Sequence, residues 1–369
     1  MRWVTLWSII GLCWAQSGRY WDSLFSYRRE TVAYGQAVTF SGTNQTLNAD
    51  IYLPEPDTET KRPLVVFLFG GGYVSGSRRD SDIVHLARYF VVRGYVTACI
   101  DYRLGLSWPT ATEWITASIR AVQDLKGFLR FMRYKVVVEG NPYGIDTNRI
   151  YVGGSSAGAF TALHAAYITS LEELAEVPQA DTAAIRQIGG LSGTSGPAGY
   201  AEGFQGVFSL SGGILRSDWI KPGKVPAVIA MHGTGDQTVP YKAGLLPFIF
   251  LPAEGGYNID SVAALRGLYH DLFTWVGAGH VPYGTQTSVN PTYMRDVENF
   301  LRYHFYQWNS RFSTTLPLKD GPSSSPHGPY EVYSIGGQYW GKVERVQELP
   351  SGIWILHAPS QKPRLIHRY

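Results

Sequence analysis

The sequence predicts an α/β fold: a mostly parallel central sheet with helices on both faces, followed by a small β tail domain. Three observations predict it. Continuous apolar runs of about five residues recur along the chain, as strands buried on both faces require. Segments with helical spacing of apolar residues separate these runs, the pattern of parallel strands joined by crossover helices. Glycine-rich clusters follow several runs, where a strand must hand over to a loop. At 369 residues the chain can hold one large core and something small besides.

Composition narrows the function. With 44% hydrophobic and 17% charged residues the chain reads as an ordinary globular protein. A net charge of +3 without a basic block gives nucleic-acid binding no electrostatic support. No Cys/His cluster has metal-ligand spacing, so no metal is expected. Arg2, the apolar stretch 4–13 and Ala15 read as an export signal over residues 1–15, too short to cross a bilayer. The alternative is a buried N-terminal strand or helix. Cys13 invites a lipoprotein reading, but Leu12 stands where such signals want a small residue. Removal of the signal would leave Cys99 as a lone small core residue and no intramolecular disulfide.

The elements follow in order. Residues 48–53 alternate like a strand. Residues 64–68 form a continuous apolar strand that ends in Gly70-Gly71-Gly72, and 95–100 form another, ending in Asp101-Tyr102-Arg103. Ile115, Ile119, Val122, Leu125, Phe128 and Met132 mark a helix over 112–134. A short strand at 149–153 leads into a helix at 157–166. Residues 169–200 break the rhythm with an acidic helix-like piece, 171–177, and a Gly/Ser-rich loop, and are expected to cap the site as a lid. Strands follow at 206–210, 227–231 and 272–276, and a helix at 297–306 closes a catalytic domain of residues 16–308. Residues 309–329 read as a linker, Pro/Gly/Ser-rich from 319 on. The tail, 330–369, alternates like strands at 331–335, 342–346 and 353–356, with turns at Gly336-Gly337 and Pro350-Ser351-Gly352.

The chemistry centres on Gly154-Ser155-Ser156-Ala157-Gly158, a G-x-S-x-G pattern between strand and helix. Such a turn strains the serine backbone and points its hydroxyl out of the sheet. A side chain at Gly154 or Gly158 would collide with neighbouring elements. A serine hydroxyl needs a base, usually a histidine oriented by a carboxylate. His280 hangs in the loop Gly277-Ala278-Gly279-His280 directly after a strand. Asp236 sits in His232-Gly233-Thr234-Gly235-Asp236, also after a strand. The candidate oxyanion donors are the amides of Ala157, Gly71 and Gly72. Tyr73 and Ser155 are candidate substrate contacts, and Trp108, Trp114, Trp219 and Tyr283 candidate pocket aromatics or core residues. His85, His164, His270 and His304 lie in helix-like or strand-like stretches and read as structural.

Phe69-Gly70-Gly71-Gly72-Tyr73, Asp101-Tyr102-Arg103, the serine pentapeptide, the Asp236 loop and the His280 loop together resemble an α/β-hydrolase carboxylesterase over roughly residues 45–306. The fit is to the branch related to feruloyl and acetylxylan esterases. The resemblance implies ester hydrolysis through Ser156, His280 and Asp236, with no cofactor. Phe69 departs from the pattern, because many of these esterases carry there a histidine that helps hold the oxyanion loop. Leu349-Pro350-Ser351-Gly352-Ile353-Trp354-Ile355-Leu356, followed by Lys362, Arg364 and Arg368, resembles the C-terminal sorting domain of type IX secretion. This implies an export-machinery partner and a secreted or cell-surface protein, the alternative being an accessory β-domain. Export in turn suggests polymer-derived esters, plant-wall acyl groups or polyesters. Two rival readings stand. A prolyl-oligopeptidase-like serine peptidase would use the same catalytic arrangement, but too few residues precede the first sheet strand for its propeller. A non-catalytic binding protein of this fold would have lost a triad member, and all three are present.

Overall fold

The apolar runs become the centre of an eight-stranded sheet. In chain order its strands are β1 (Ser26–Val38), β2 (Asn44–Glu55), β3 (Arg62–Leu68), β4 (Val96–Ile100), β5 (Ile145–Ser155), β6 (Gly206–Leu210), β7 (Ala227–Gly233) and, after the short hairpin β8 (Ala243–Leu246) and β9 (Leu251–Glu254), β10 (Tyr269–Trp275). Their spatial order is β1-β2-β4-β3-β5-β6-β7-β10. β1, β2 and β4 pair antiparallel, and every pairing from β4 through β10 is parallel. Every residue of β3, β4, β6 and β7 is buried, so both faces of the sheet are covered.

The computed structural model describes residues 18–313 and the tail strands β11 (Tyr330–Ser334), β12 (Tyr339–Val343), β13 (Gly352–His357) and β14 (Arg364–Arg368). The expected export signal, the linker from residue 314 on and the tail loops, with Leu349, Pro350 and Lys362, lie outside the described residues.

The principal helices are α1 (Ser81–Val91), α2 (Ala111–Val137) and α3 (Ala157–Tyr167). The short α4 (Leu171–Ala175) and α5 (Thr182–Gln187) follow, then α6 (Gly256–Leu265) and α7 (Pro291–Arg311). α2 starts where Thr110 accepts the Glu113 amide at 3.3 Å, an N-cap that satisfies an otherwise open donor. α2 runs against α3, and α3 lies over β5 and β6. The sequence signals missed β1, most of whose residues are not buried, and α1.

The chain divides into two compact units, residues 1–290 and 291–369. The helix expected to close the catalytic domain at 308 therefore falls in the second unit, starting at Pro291, whose fixed φ suits a first helical turn. In that unit β11–β14 form an antiparallel sheet in the order β12-β11-β13-β14.

The segment 169–200, expected to cap the site, lines neither cavity beside Ser156, and its stretch 188–197 is fastened along α2. Gln123 Nε2 donates to the carbonyls of Ile188 and Gly190 at 3.1 and 2.6 Å, and Arg130 binds the carbonyls of Ser192 and Pro197 at 3.1 and 2.9 Å. The segment's Gly/Ser-rich stretch supplies carbonyl acceptors to buried side chains of α2.

Candidate active site

Four parallel strands deliver the candidate residues to one end of the sheet. β3 ends before Gly70-Gly71-Gly72, β5 before Ser156, β7 before Asp236 and β10 before His280. This is the carboxyl edge, where open α/β sheets leave a crevice.

Ser156 sits at φ 51°, ψ −114°, outside the regions open to ordinary L-residues. Such a conformation costs about 1–3 kcal/mol and persists only when its surroundings enforce it. Here they do. The Ser156 amide donates to the Leu210 carbonyl of β6 at 2.9 Å. A Cβ at Gly154 would stand 2.1 Å from the Leu68 carbonyl oxygen, and one at Gly158 2.3 Å from the same atom. The expected collision on both sides is therefore with the backbone of β3, which cannot step aside.

His280 Nε2 lies 2.9 Å from Ser156 Oγ, and His280 Nδ1 lies 2.7 Å from Asp236 Oδ2. With the proton on Nδ1, facing the carboxylate, Nε2 is free to accept from the serine hydroxyl. Asp236 Oδ1 accepts the amides of Thr238 and Val239, each at 2.9 Å. Burial alone would push the Asp236 carboxyl up. The hydrogen bonds from His232 and His280 and from the Val239 amide outweigh it and hold the group well below the usual carboxylate range. The two loops are joined directly, since the Thr234 and Gly235 amides donate to the Trp275 and Ala278 carbonyls, each at 2.9 Å. A Cβ on Gly233 would stand 2.3 Å from the Ala278 oxygen, so that contact requires glycine.

Gly71 and Gly72 take φ +110° and +64°, turning the loop past the serine. Among the described residues no acceptor meets the amides of Gly71, Gly72 or Ala157. Phe69 stands where the resemblance has a histidine. Its ring stacks on Tyr102 at 4.0 Å between centroids, and the Tyr102 hydroxyl donates to the Phe69 carbonyl at 2.8 Å. The loop is thus held by an aromatic pair. Behind it, Arg103 and Asp124 form a buried pair at 2.9 Å, which makes Asp101-Tyr102-Arg103 a structural motif.

The remaining candidates separate. Ser155 lines the cavity, and its Oγ lies 2.7 Å from the Tyr283 hydroxyl, itself 3.1 Å from the Leu210 carbonyl. Tyr283 therefore clamps the turn from across the fold; it is fully buried and is no pocket aromatic. Tyr73 as a substrate contact is corrected. Its side chain is fully buried and its hydroxyl lies 3.0 Å from the Ala157 carbonyl, so it supports the first turn of α3. Trp219 is buried and Trp108 exposed; of the five candidate aromatics only Trp114 lines a cavity. Sequence reasoning missed Asp80 and Asp82, buried carboxylates beside Ser155. Burial pushes both up, Asp82 to about 6, although the Ile83 amide and Ser155 hydroxyl favour its charged form. It also passed over His232, whose Nε2 lies 3.2 Å from Asp236 Oδ2. The signal was its place four residues before Asp236. Among the described residues no cluster of three or more metal-ligating side chains occurs.

The architecture is that of an α/β-hydrolase. Residues 49–194 match the family model BD-FAE. A probable isoprenylcysteine alpha-carbonyl methylesterase ICME from Oryza sativa subsp. japonica is 28% identical over 219 residues, covering 53% of this chain and 48% of that protein. The probable isoprenylcysteine alpha-carbonyl methylesterase ICMEL1 from Arabidopsis thaliana is 31% identical over 184 residues, covering 47% and 32%. The chain thus spans half or less of these relatives. Among solved structures, Thermogutta terrifontis esterase 2 phosphorylated by paraoxon superposes with TM-score 0.53 at 19% identity, over 78% of this chain and 96% of that one, a likeness of fold.

Proposed function

We propose that the protein is a serine carboxylic-ester hydrolase that works through an acyl-enzyme. Ser156 attacks the ester carbonyl while His280 Nε2 takes its proton. Asp236 holds the imidazole in place and stabilises the imidazolium. The amides of Ala157, Gly71 and Gly72 receive the oxyanion, each donor contributing about 3–4 kcal/mol. His280 then protonates the leaving alcohol, and water repeats the cycle to release the acid. The observation that carries this reading is the continuous contact from Ser156 Oγ through His280 to Asp236, at 2.9 and 2.7 Å. The relatives named as methylesterases support it. This chemistry calls for no cofactor.

The finer reading is an exported esterase of the feruloyl and acetylxylan type, acting on polymer-derived esters. Arg2 and the apolar stretch after it support export, and the Leu349–Leu356 motif with its basic end supports type IX sorting. Ser156→Ala is expected to abolish hydrolysis of p-nitrophenyl esters and labelling by a fluorophosphonate while the thermal transition persists. Undiminished hydrolysis in that variant would refute the assignment.

A further inference from the structure

Ser156 stands where two cavities with different walls meet. They share only Gly72, Ser156 and Thr238. One, of about 330 Å³, has His280 and the polar side chains of Asp80, Asp82, Ser155, Thr285 and Gln286 in its wall. The other, of about 280 Å³, is walled by apolar groups, among them Leu106, Trp114, Phe160, Leu246 and Phe248, and by no charged residue. Its far side is the β8–β9 hairpin region, where Phe248 is 85% exposed at the rim.

The reaction fixes which half of an ester enters which cavity. When the bond between carbonyl carbon and leaving oxygen breaks, that oxygen takes the proton from His280 Nε2. The leaving alcohol must therefore lie on the His280 side, and His280 lines only the first of the two cavities. The acyl half, bonded to Ser156 Oγ in the intermediate, is left with the apolar cavity.

Resting on the reading of Ser156 as nucleophile, we infer that the preferred substrate is an ester of an apolar acid with a small, uncharged alcohol bearing further hydroxyl groups. The acid occupies the cavity of Trp114 and Phe160 and the alcohol that of Asp80 and Asp82. The two carboxylates receive hydroxyl donors and repel an anionic alcohol. Asp80 Oδ2 is buried with no partner among the described residues, while Oδ1 accepts from Ser77.

Ethyl octanoate and octyl acetate are isomers that reverse the two halves, and glyceryl mono-octanoate adds hydroxyls to the alcohol. Ethyl octanoate is expected to be hydrolysed with kcat/KM at least about tenfold above octyl acetate, since its apolar chain enters an apolar wall. The glyceryl ester should match or exceed the ethyl ester. Phe248→Asp, at an exposed rim position that does not threaten folding, should bring the isomer ratio toward one. Octyl acetate equal to or better than ethyl octanoate overturns the inference, as does a glyceryl ester poorer than the ethyl ester or a ratio unmoved by Phe248→Asp. Hydrolysis of neither isomer, by protein whose Ser156 still takes a fluorophosphonate, also overturns it and leaves the nucleophile standing. A Ser156 that takes no fluorophosphonate overturns both.

Discussion

His232 Nε2 lies 3.2 Å from Asp236 Oδ2, the same carboxylate oxygen that faces His280. The ring is fully buried, and its Nδ1 accepts the Gly256 amide at 3.2 Å, so Nε2 carries the proton. That proton is shared between Asp236 and the Val239 carbonyl at 3.1 Å. Asp236 is thus gripped from two sides, and only one of its imidazoles reaches the serine.

His232 therefore acts as a positioning residue. His232→Leu should lower kcat by about tenfold, equivalent to about 1.4 kcal/mol of transition-state stabilisation, with KM little changed. His232→Gln, which keeps a donor, should recover part of the loss. The downfield proton resonance of the His280–Asp236 hydrogen bond should shift in the leucine variant and return toward its position in the glutamine variant. A proportional change in KM alone would contradict this role.

His164 reports on acid stability. It is fully buried in α3, with Nδ1 2.7 Å from Ser118 Oγ and Nε2 accepting the Leu215 amide at 3.4 Å. Burial lowers its pKa from 6.5 to about 3. The unfolded chain binds the proton first, so this group's contribution is fully present above pH 6.5 and is lost as pH falls toward 3. At about 1.36 kcal/mol per unit the swing is about 5 kcal/mol. Denaturant titrations of His164→Gln across that range should show a shallower loss of stability than the parent.

Asp82 has the opposite sign. Its folded pKa, about 6, exceeds the ordinary 3.8, so its contribution is present below 3.8 and lost as pH rises through 6. Asp82→Asn should therefore raise Tm at pH 8 relative to the parent, with little gain at pH 4. Equal shifts at both values would show that its burial does not penalise the charge.

Gly158→Ala should be among the most damaging single-methyl additions. The new Cβ would stand 2.3 Å from the Leu68 oxygen and 2.6 Å from that of Phe69, both backbone atoms. A loss of about 1–3 kcal/mol, the range for overpacking, is expected in chemical denaturation. Gly267→Ala meets nothing within 4 Å and should cost only the strain of φ +65°.

Much of this was legible in sequence because it rests on local pattern. Residues 64–68 and 227–231 are apolar throughout, 206–210 is broken only by Ser209, and the strands they form are buried on both faces. The Ser156, Asp236 and His280 loops each announce themselves by glycines after such a run. What escaped rests on pairings between distant residues. Nothing near Tyr283 says that its hydroxyl meets Ser155, 128 positions away. Asp80 and Asp82 belong to no motif in the sequence, and only the fold buries them beside Ser155. Tyr73 follows the glycine loop in sequence, yet a φ of +67° accompanies a ring that lies inside. The apolar cavity is assembled from the loops after β3, β4 and β7, from the helices α2 and α3 and from the 246–249 turn, which no single stretch reveals.

The central claim is that Ser156 carries the acyl group. Mass spectrometry of protein quenched during turnover of a p-nitrophenyl ester tests it most directly. The account predicts a mass increment equal to the acyl group, located on the peptide containing Ser156 and absent from Ser156→Ala. An acyl group on another residue, or continued turnover by the alanine variant, would contradict it.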